Sequence, residues 1–220
     1  YKKLQMNLGP HRDGARVPIT VDNLWFRYPG AKLMYRNLSF YIDGGERFLI
    51  RVGNGSGKST LVKLILGQLS PERGSITINP KNDIAYYAQE LQDLDPNQTI
   101  IESVSSADYS DMQLRAALGN FLFYNHDVFK KISDLSPGER ARVALCKLLL
   151  RRANLLILDE PTNHLDPDTV AIIADNFHDF AGTIILISHN NDFINQIGMT
   201  RVLTLPSGRL DYWDGDDMAH

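Results

Sequence analysis

Phe48-Leu49-Ile50-Arg51-Val52-Gly53-Asn54-Gly55-Ser56-Gly57-Lys58-Ser59-Thr60 decides the fold. Phe48, Leu49 and Ile50 read as a short buried strand that runs into a glycine-rich turn. Leu61, Val62, Leu64, Ile65 and Leu66 follow at a spacing that predicts a helix over 58–69 with a broad apolar face. Strand, glycine turn and helix in that order is what a phosphate-binding loop requires. Glycines let backbone N–H groups curl around an anion, and the start of the helix adds a positive partial charge. Gly53, Asn54, Gly55, Ser56, Gly57, Lys58, Ser59 and Thr60 are therefore the expected nucleotide-binding residues. Lys58 would reach the outer phosphates, and the Ser59 hydroxyl would face Mg²⁺. One position departs from the strict pattern: its first glycine falls on Val52, a β-branched residue where a tight turn is expected. Gly53, one residue later, is in position to relieve part of that demand.

A second chemical signal is Leu155-Leu156-Ile157-Leu158-Asp159-Glu160. A fully apolar strand of this kind delivers its last residues to the carboxyl edge of a parallel sheet, where ligands of such folds bind. Asp159 would hold Mg²⁺ through water. Glu160 would accept a proton from the water that attacks a γ-phosphate. An apolar run ending in Asp-Glu is on its own equally an ordinary strand end; the glycine loop upstream gives it meaning.

Working outward, runs at 19–28 and 33–42 alternate as strands and argue for an added antiparallel sheet. Short strands are expected at 75–78, 84–88, 155–158 and 183–187, and a closing hairpin at 201–205 and 209–213 around Ser207-Gly208. Helices are expected at 99–107, 111–122, 136–150, 169–180 and 191–197. Ser136 is a good N-cap, Pro137 suits the first helical position, and Glu139 completes a capping box. Residues 1–17 read as a polar linker or lead-in, and 214–220 as an acidic tail. The chain begins at Tyr1, which reads as an excised piece of a longer protein.

The composition is that of a globular chain: 220 residues, 43% hydrophobic, 22% charged, net charge −3. It excludes collagen-like, mucin-like and wholly disordered classes, and shows no bulk basic character that advertises nucleic acid. The single Cys146 rules out an internal disulfide framework and favours a reducing, cytoplasmic setting. It lies in an apolar run and reads as a buried small side chain. No apolar stretch approaches the roughly 20 residues needed to span a bilayer, and no signal peptide is visible.

Leu135-Ser136-Pro137-Gly138-Glu139-Arg140 resembles the signature of ATP-binding-cassette ATPases, usually Leu-Ser-Gly-Gly-Gln/Glu. Leu158-Asp159-Glu160-Pro161-Thr162-Asn163-His164-Leu165-Asp166 resembles the strand-end and D-loop block of the F subfamily, ABC-F. Ser188-His189 resembles the switch histidine, and Gln89 the Q-loop glutamine. Tyr28, before Pro29-Gly30, resembles the aromatic A-loop residue that stacks on adenine. The resemblance covers 18–213 with the motifs in the right order. It implies an α/β P-loop cassette with a mostly parallel core sheet, an N-terminal antiparallel β subdomain and a helical signature subdomain near 95–150.

The resemblance also implies ATP hydrolysis, slow in an isolated domain, with ATP and Mg²⁺. Glu160 and His189 would be catalytic, and Ser59, Gln89 and Asp159 would surround the metal. Ser136, Pro137, Gly138 and Glu139 would contact a nucleotide held by a second cassette, in the same polypeptide or a homodimer. Subfamily membership implies work in translation or ribosome protection, antibiotic resistance included, with the ribosome met through the full-length protein. Ordinary spacing between Lys58 and Ser136 implies the second, C-terminal cassette of such a protein. Two further departures are Pro137 for the first signature glycine and Asn190 for the usual aspartate after the switch histidine. Read without the resemblance, Tyr28 also fits a hairpin aromatic, Gln89 a solvated loop amide, and His164 and His189 structural turn positions. The nucleotide-binding subunit of an ABC membrane transporter is the alternative. A chromosome-associated head domain would need sustained heptads, which do not appear.

Overall fold

The computed structural model describes residues 8, 10, 13–53 and 59–215. In chain order the strands are β1 (Ile19–Phe26), β2 (Tyr35–Ile42), β3 (Arg47–Val52), β4 (Arg73–Ile78), β5 (Ile84–Tyr86), β6 (Leu155–Asp159), β7 (Thr183–Ile187), β8 (Arg201–Leu205) and β9 (Arg209–Tyr212). The helices are α1 (Thr60–Ile65), α2 (Tyr87–Gln92), α3 (Ile100–Val104), α4 (Asp111–Asn120), α5 (Pro137–Leu150), α6 (Pro167–His178) and α7 (Asn191–Ile197).

The strands divide between two sheets. The order β2-β1-β4 forms an antiparallel sheet, and β5-β6-β7-β3-β8-β9 forms the second. Pairing from β5 through β8 is parallel, and β9 closes the edge antiparallel to β8. The central residues of β3, β6 and β7 form continuous apolar runs because both faces of these strands are covered. In β6, Leu155 and Ile157 pack toward the antiparallel sheet and α1, whereas Leu156 and Leu158 pack toward α5, α6 and α7. In β1 one face only is buried, so the pattern alternates, with Ile19 opposite Ile42 and Val21 opposite Phe40 on β2. The β1 register shifts after Asp22, where Asn23 adopts φ +47°. Gly74 on β4 meets this kink: a Cβ there would lie 2.2 Å from the Asn23 carbonyl oxygen.

Beneath both sheets lies a buried ion pair. Arg201 Nη2 donates to Glu46 Oε2 at 2.8 Å and to the Tyr41 carbonyl at 2.6 Å. The same Glu46 oxygen accepts from the Asp43 backbone at 2.8 Å, so the pair ties the β2–β3 turn to β8.

Strand 183–187, helix 191–197 and strand 201–205 lie where the sequence predicts them. Three readings are corrected. The helix expected over 58–69 is helical in its described part only from Thr60–Ile65, and Gly67 at φ +73° turns the chain out of it. The strand expected over 84–88 ends at Tyr86, and α2 takes over, because Ala88, Gln89, Glu90, Leu91 and Gln92 are strong helix formers. The strand expected over 75–78 begins earlier, at Arg73, and pairs with β1, with Ile19 opposite Ile78. No helix among the described residues is long and apolar enough to cross a membrane.

Candidate functional site

The parallel order brings the carboxyl ends of β3, β6 and β7 to one edge. From β3 the chain enters the glycine loop. Val52 is the last residue of that strand, buried and paired with Leu205 of β8. The β-branched residue thus stands in extended backbone, where it is at ease, and the turn begins at Gly53, whose N–H points to the Leu205 carbonyl at 3.4 Å. Asn54, Gly55, Ser56, Gly57 and Lys58 lie outside the described residues. On the far side, Ser59 stands at the N-cap position of α1 with no side-chain capping bond, and Thr60 opens the helix.

At the end of β6, Glu160 is mostly buried and takes φ +47°, a left-handed conformation unusual for a non-glycine residue. Its N–H bonds to the Ile187 carbonyl at 2.8 Å, which anchors the turn to β7. Strain of this kind persists where surrounding structure enforces it, and it gathers at functional sites. His189, past the end of β7, is exposed and brings Nε2 to 3.6 Å from Glu160 Oε1. Ser188 and Asn190 hold it: the Asn190 N–H donates to Ser188 Oγ at 3.0 Å, and Asn190 Oδ1 caps α7 by accepting from Phe193 N at 2.9 Å. Asparagine caps as well as aspartate, so the departure at 190 keeps the local fold.

Asp159 has a partner that the sequence reading missed. Tyr86 on β5 hydrogen-bonds it, and burial together with this carboxylate raises the Tyr86 phenol above its usual pKa. Tyr86 stands opposite Ile157, two residues before Asp159 on the same face of β6. Only the strand register brings them together. Gln89 is exposed on α2, lines one cleft with Tyr86, and donates its amide to Asp93 Oδ1 at 2.8 Å. Tyr28 lies after the end of β1, its hydroxyl 3.0 Å from Thr60 Oγ1.

The signature residues form a second surface. Ser136 caps α5 and accepts from Glu139 N at 3.2 Å, while the Glu139 carboxylate accepts from Ser136 N at 3.1 Å. Burial pushes the Glu139 pKa up, but the hydrogen bonds from Ser136, with Lys130 and Arg142 nearby, outweigh it and hold the group below the usual range. Pro137 occupies the first turn without cost, since that position has no intrahelical partner for an N–H. Ser136, Pro137, Gly138 and Glu139 line a cleft of about 340 Å³ with His164, Asp166 and Thr169. None of Tyr28, Ser59, Thr60, Asp159, Glu160 or His189 lines it. One chain therefore carries two separate surfaces: a loop-and-carboxylate edge, and a cleft built around the start of a 14-residue helix.

A doubly layered α/β core with these two surfaces defines the class of mononucleotide-binding cassettes. A family profile described as "ABC transporter" matches residues 35–163, and the chain belongs to that family of ATP-binding cassettes. The ABC transporter F family member 2 of Arabidopsis thaliana is 38% identical over 207 residues, 91% of this chain and 30% of that protein. The ATP-binding protein Uup of Haemophilus influenzae is 34% identical over 220 residues, 97% of this chain and 33% of that protein. The chain thus spans about a third of the length of the curated relatives named here. Among solved structures, the dimeric bacterial ABC transporter cassette MJ0796 shares the fold with TM-score 0.72 at 22% identity, covering 88% of this chain and 98% of that one. A bacterial Atm1-family ABC exporter with ATP bound gives TM-score 0.74 at 24% identity, covering 94% of this chain and 40% of that one.

Proposed function

We propose that this chain is one ATP-binding and ATP-hydrolysing jaw of a two-cassette machine. The observation that carries the reading is the separation of the Asp159–Glu160–His189 edge from the Ser136–Gly138 cleft. Two copies, or this cassette and another in the same polypeptide, would close head to tail, each cleft covering the nucleotide on the other's glycine loop. A solved structure of this fold that is dimeric supports the arrangement.

Within one half-site, residues 53–60 cradle the phosphates with backbone N–H groups and Lys58. Ser59 and Asp159 offer the hard oxygen donors that Mg²⁺ takes, an ion that otherwise keeps water and phosphate oxygens in its shell. When bound, that ion neutralises charge on the phosphate oxygens. Glu160 takes the proton of the attacking water, and His189, within 3.6 Å, steadies the carboxylate and the charge it faces. From the other jaw, Ser136 and the helix behind it meet the γ-phosphate. Closure with ATP and release after hydrolysis make a two-state device.

The Asn163-His164-Leu165-Asp166 block and the F-family relatives support placing the cassette in a longer cytoplasmic ABC-F protein that acts in translation or ribosome protection, resistance to antibiotics included. The likeness to transporter structures favours a second reading, the nucleotide-binding subunit of a membrane transporter; copurification with a membrane partner would decide for it.

Phosphate release by the wild type and Glu160→Gln tests the chemistry. The variant should lose about 10²–10⁴-fold in turnover while calorimetry shows MgATP still bound. Unchanged turnover removes Glu160 from the role of base. Lys58→Ala should abolish binding, and wild-type affinity there ends the phosphate-loop reading. Turnover per chain should be slow in dilute monomer and rise with concentration; fast hydrolysis by a demonstrated monomer overturns the two-jaw arrangement.

A further inference from the structure

We propose that the Tyr28 hydroxyl is a positioning group for Thr60, tying the aromatic ring beyond β1 to the first residue of α1 so that base and phosphate are gripped by one rigid unit. The proposal rests on the nucleotide reading above and deepens it. Tyr28 Oη and Thr60 Oγ1 lie 3.0 Å apart although 32 positions separate them in sequence. Thr60 is only 2% exposed, so its hydroxyl has been withdrawn from water and gains from a protein partner. The Tyr28 phenol supplies one.

The ring itself is held at a second point. Phe26 meets it edge to face, with centroids 5.0 Å apart and planes at 82°. Tip and edge are therefore both fixed, while the half-buried ring keeps a surface toward solvent. Thr60 gains in the same way. A threonine is β-branched and stiff at χ1, with few wells to choose among. The bond to Tyr28 selects one of them and so fixes where Oγ1 stands beside Ser59. Residue 60 adjoins the phosphate loop and residue 28 carries the ring that would face the base, so order at one end is transmitted to the other.

The test is calorimetric titration of the full chain with two ligands in the presence of magnesium: ATP, and inorganic tripolyphosphate, which has no base. Tyr28→Phe keeps the ring and removes the hydroxyl. It should weaken both ligands by about three- to tenfold, the scale of one neutral hydrogen bond. Thr60→Val should do the same, the double variant should be no worse than either single one, and Thr60→Ser should bind as the wild type does. A ring that merely stacks would leave tripolyphosphate unmoved in Tyr28→Phe, and a merely structural contact would change melting temperature without changing either affinity. Wild-type affinity for both ligands in Tyr28→Phe, or losses that multiply in the double variant, overturns the tether. Loss of ATP affinity in Tyr28→Ala but not in Tyr28→Phe also overturns it while sparing the nucleotide reading. Wild-type protein that binds neither ligand overturns both.

Discussion

The backbone carbonyl of His164 lies against the α-carbon of Gly138, so closely that a Cβ at position 138 would stand 2.6 Å from its oxygen. His164 reaches that point through a left-handed backbone at φ +69°. The turn after the β6 carboxylates and the loop that opens α5 are thus in direct contact within one chain. A shift at either must be felt at the other, which joins the Asp159–Glu160 edge to the Ser136–Gly138 cleft.

Gly138→Ala should therefore do more than perturb a helix start. Overpacking of this kind costs about 1–3 kcal/mol, and the loop bearing Ser136 must move to relieve it. MgATP affinity of the single chain should persist, because neither Ser59 nor Thr60 lines that cleft. ATP-dependent self-association in a Glu160→Gln background should fall, as read by light scattering. Association that survives with an unchanged melt would show that the two loops yield without consequence.

The capping box makes a pH-dependent contribution to α5. Glu139 is held below the usual carboxylate range in the folded chain by its bonds from Ser136, against the effect of burial. A depressed pKa means that the folded state prefers the ionised form. The stabilisation is then complete above the ordinary carboxylate pKa and is lost as pH falls through the lower, folded one. Glu139→Gln preserves the box but removes the charge. The gap between the urea midpoints should be full above about pH 5 and shrink as pH falls below the ordinary carboxylate range, with the wild type more stable and the gap narrowed by salt. A gap that widens toward acid would reverse the assignment.

Breaking the buried pair at the base of the sheets should be costly. Arg201→Met leaves Glu46 enclosed at 7% exposure without its cation, for which about 3–5 kcal/mol is typical. Removing both charges with Glu46→Leu should recover much of that loss, since desolvation of the unpaired carboxylate is the larger part of the damage. Equilibrium urea unfolding of the two singles and the double variant measures it, and purely additive losses would mean that the two side chains act separately.

How far the sequence could be read depended on how local each determinant is. Strand 183–187 and the apolar part of β6 were legible because a strand covered on both faces is apolar whatever its neighbours are. The Ser136–Glu139 box was legible because both partners lie within four residues. The pairing of β4 was not: placing Ile78 opposite Ile19 is a long-range choice with no local mark. Tyr86 and Tyr87 suggested a continued strand, and the helix formers after them prevailed, carrying Gln89 onto α2. The contact of Tyr86 with Asp159 depends on strand register, and that of Tyr28 with Thr60 on two elements crossing; neither leaves a sequence pattern. The left-handed turn at Glu160 likewise comes from the β6–β7 edge and not from the residue's own preference.

Val52 gives the last prediction, because its position in the fold decides between two readings of a missing glycine. Were it inside the tight turn, Val52→Gly would relax the loop and improve nucleotide binding. It is instead the final residue of β3, 3% exposed, paired with Leu205, and packed in the cluster between the sheets. The regular strand ends there, and Gly53 is the first residue past it. Val52→Gly should then lose a buried side chain and stiffen nothing in return, for a destabilisation of about 2–4 kcal/mol, with MgATP affinity no tighter than in the wild type. Urea unfolding and calorimetry on the same preparation measure both quantities. Tighter binding at unchanged stability would mean that the end of β3 unpairs from β8 when nucleotide enters, and that the valine had been holding the loop shut.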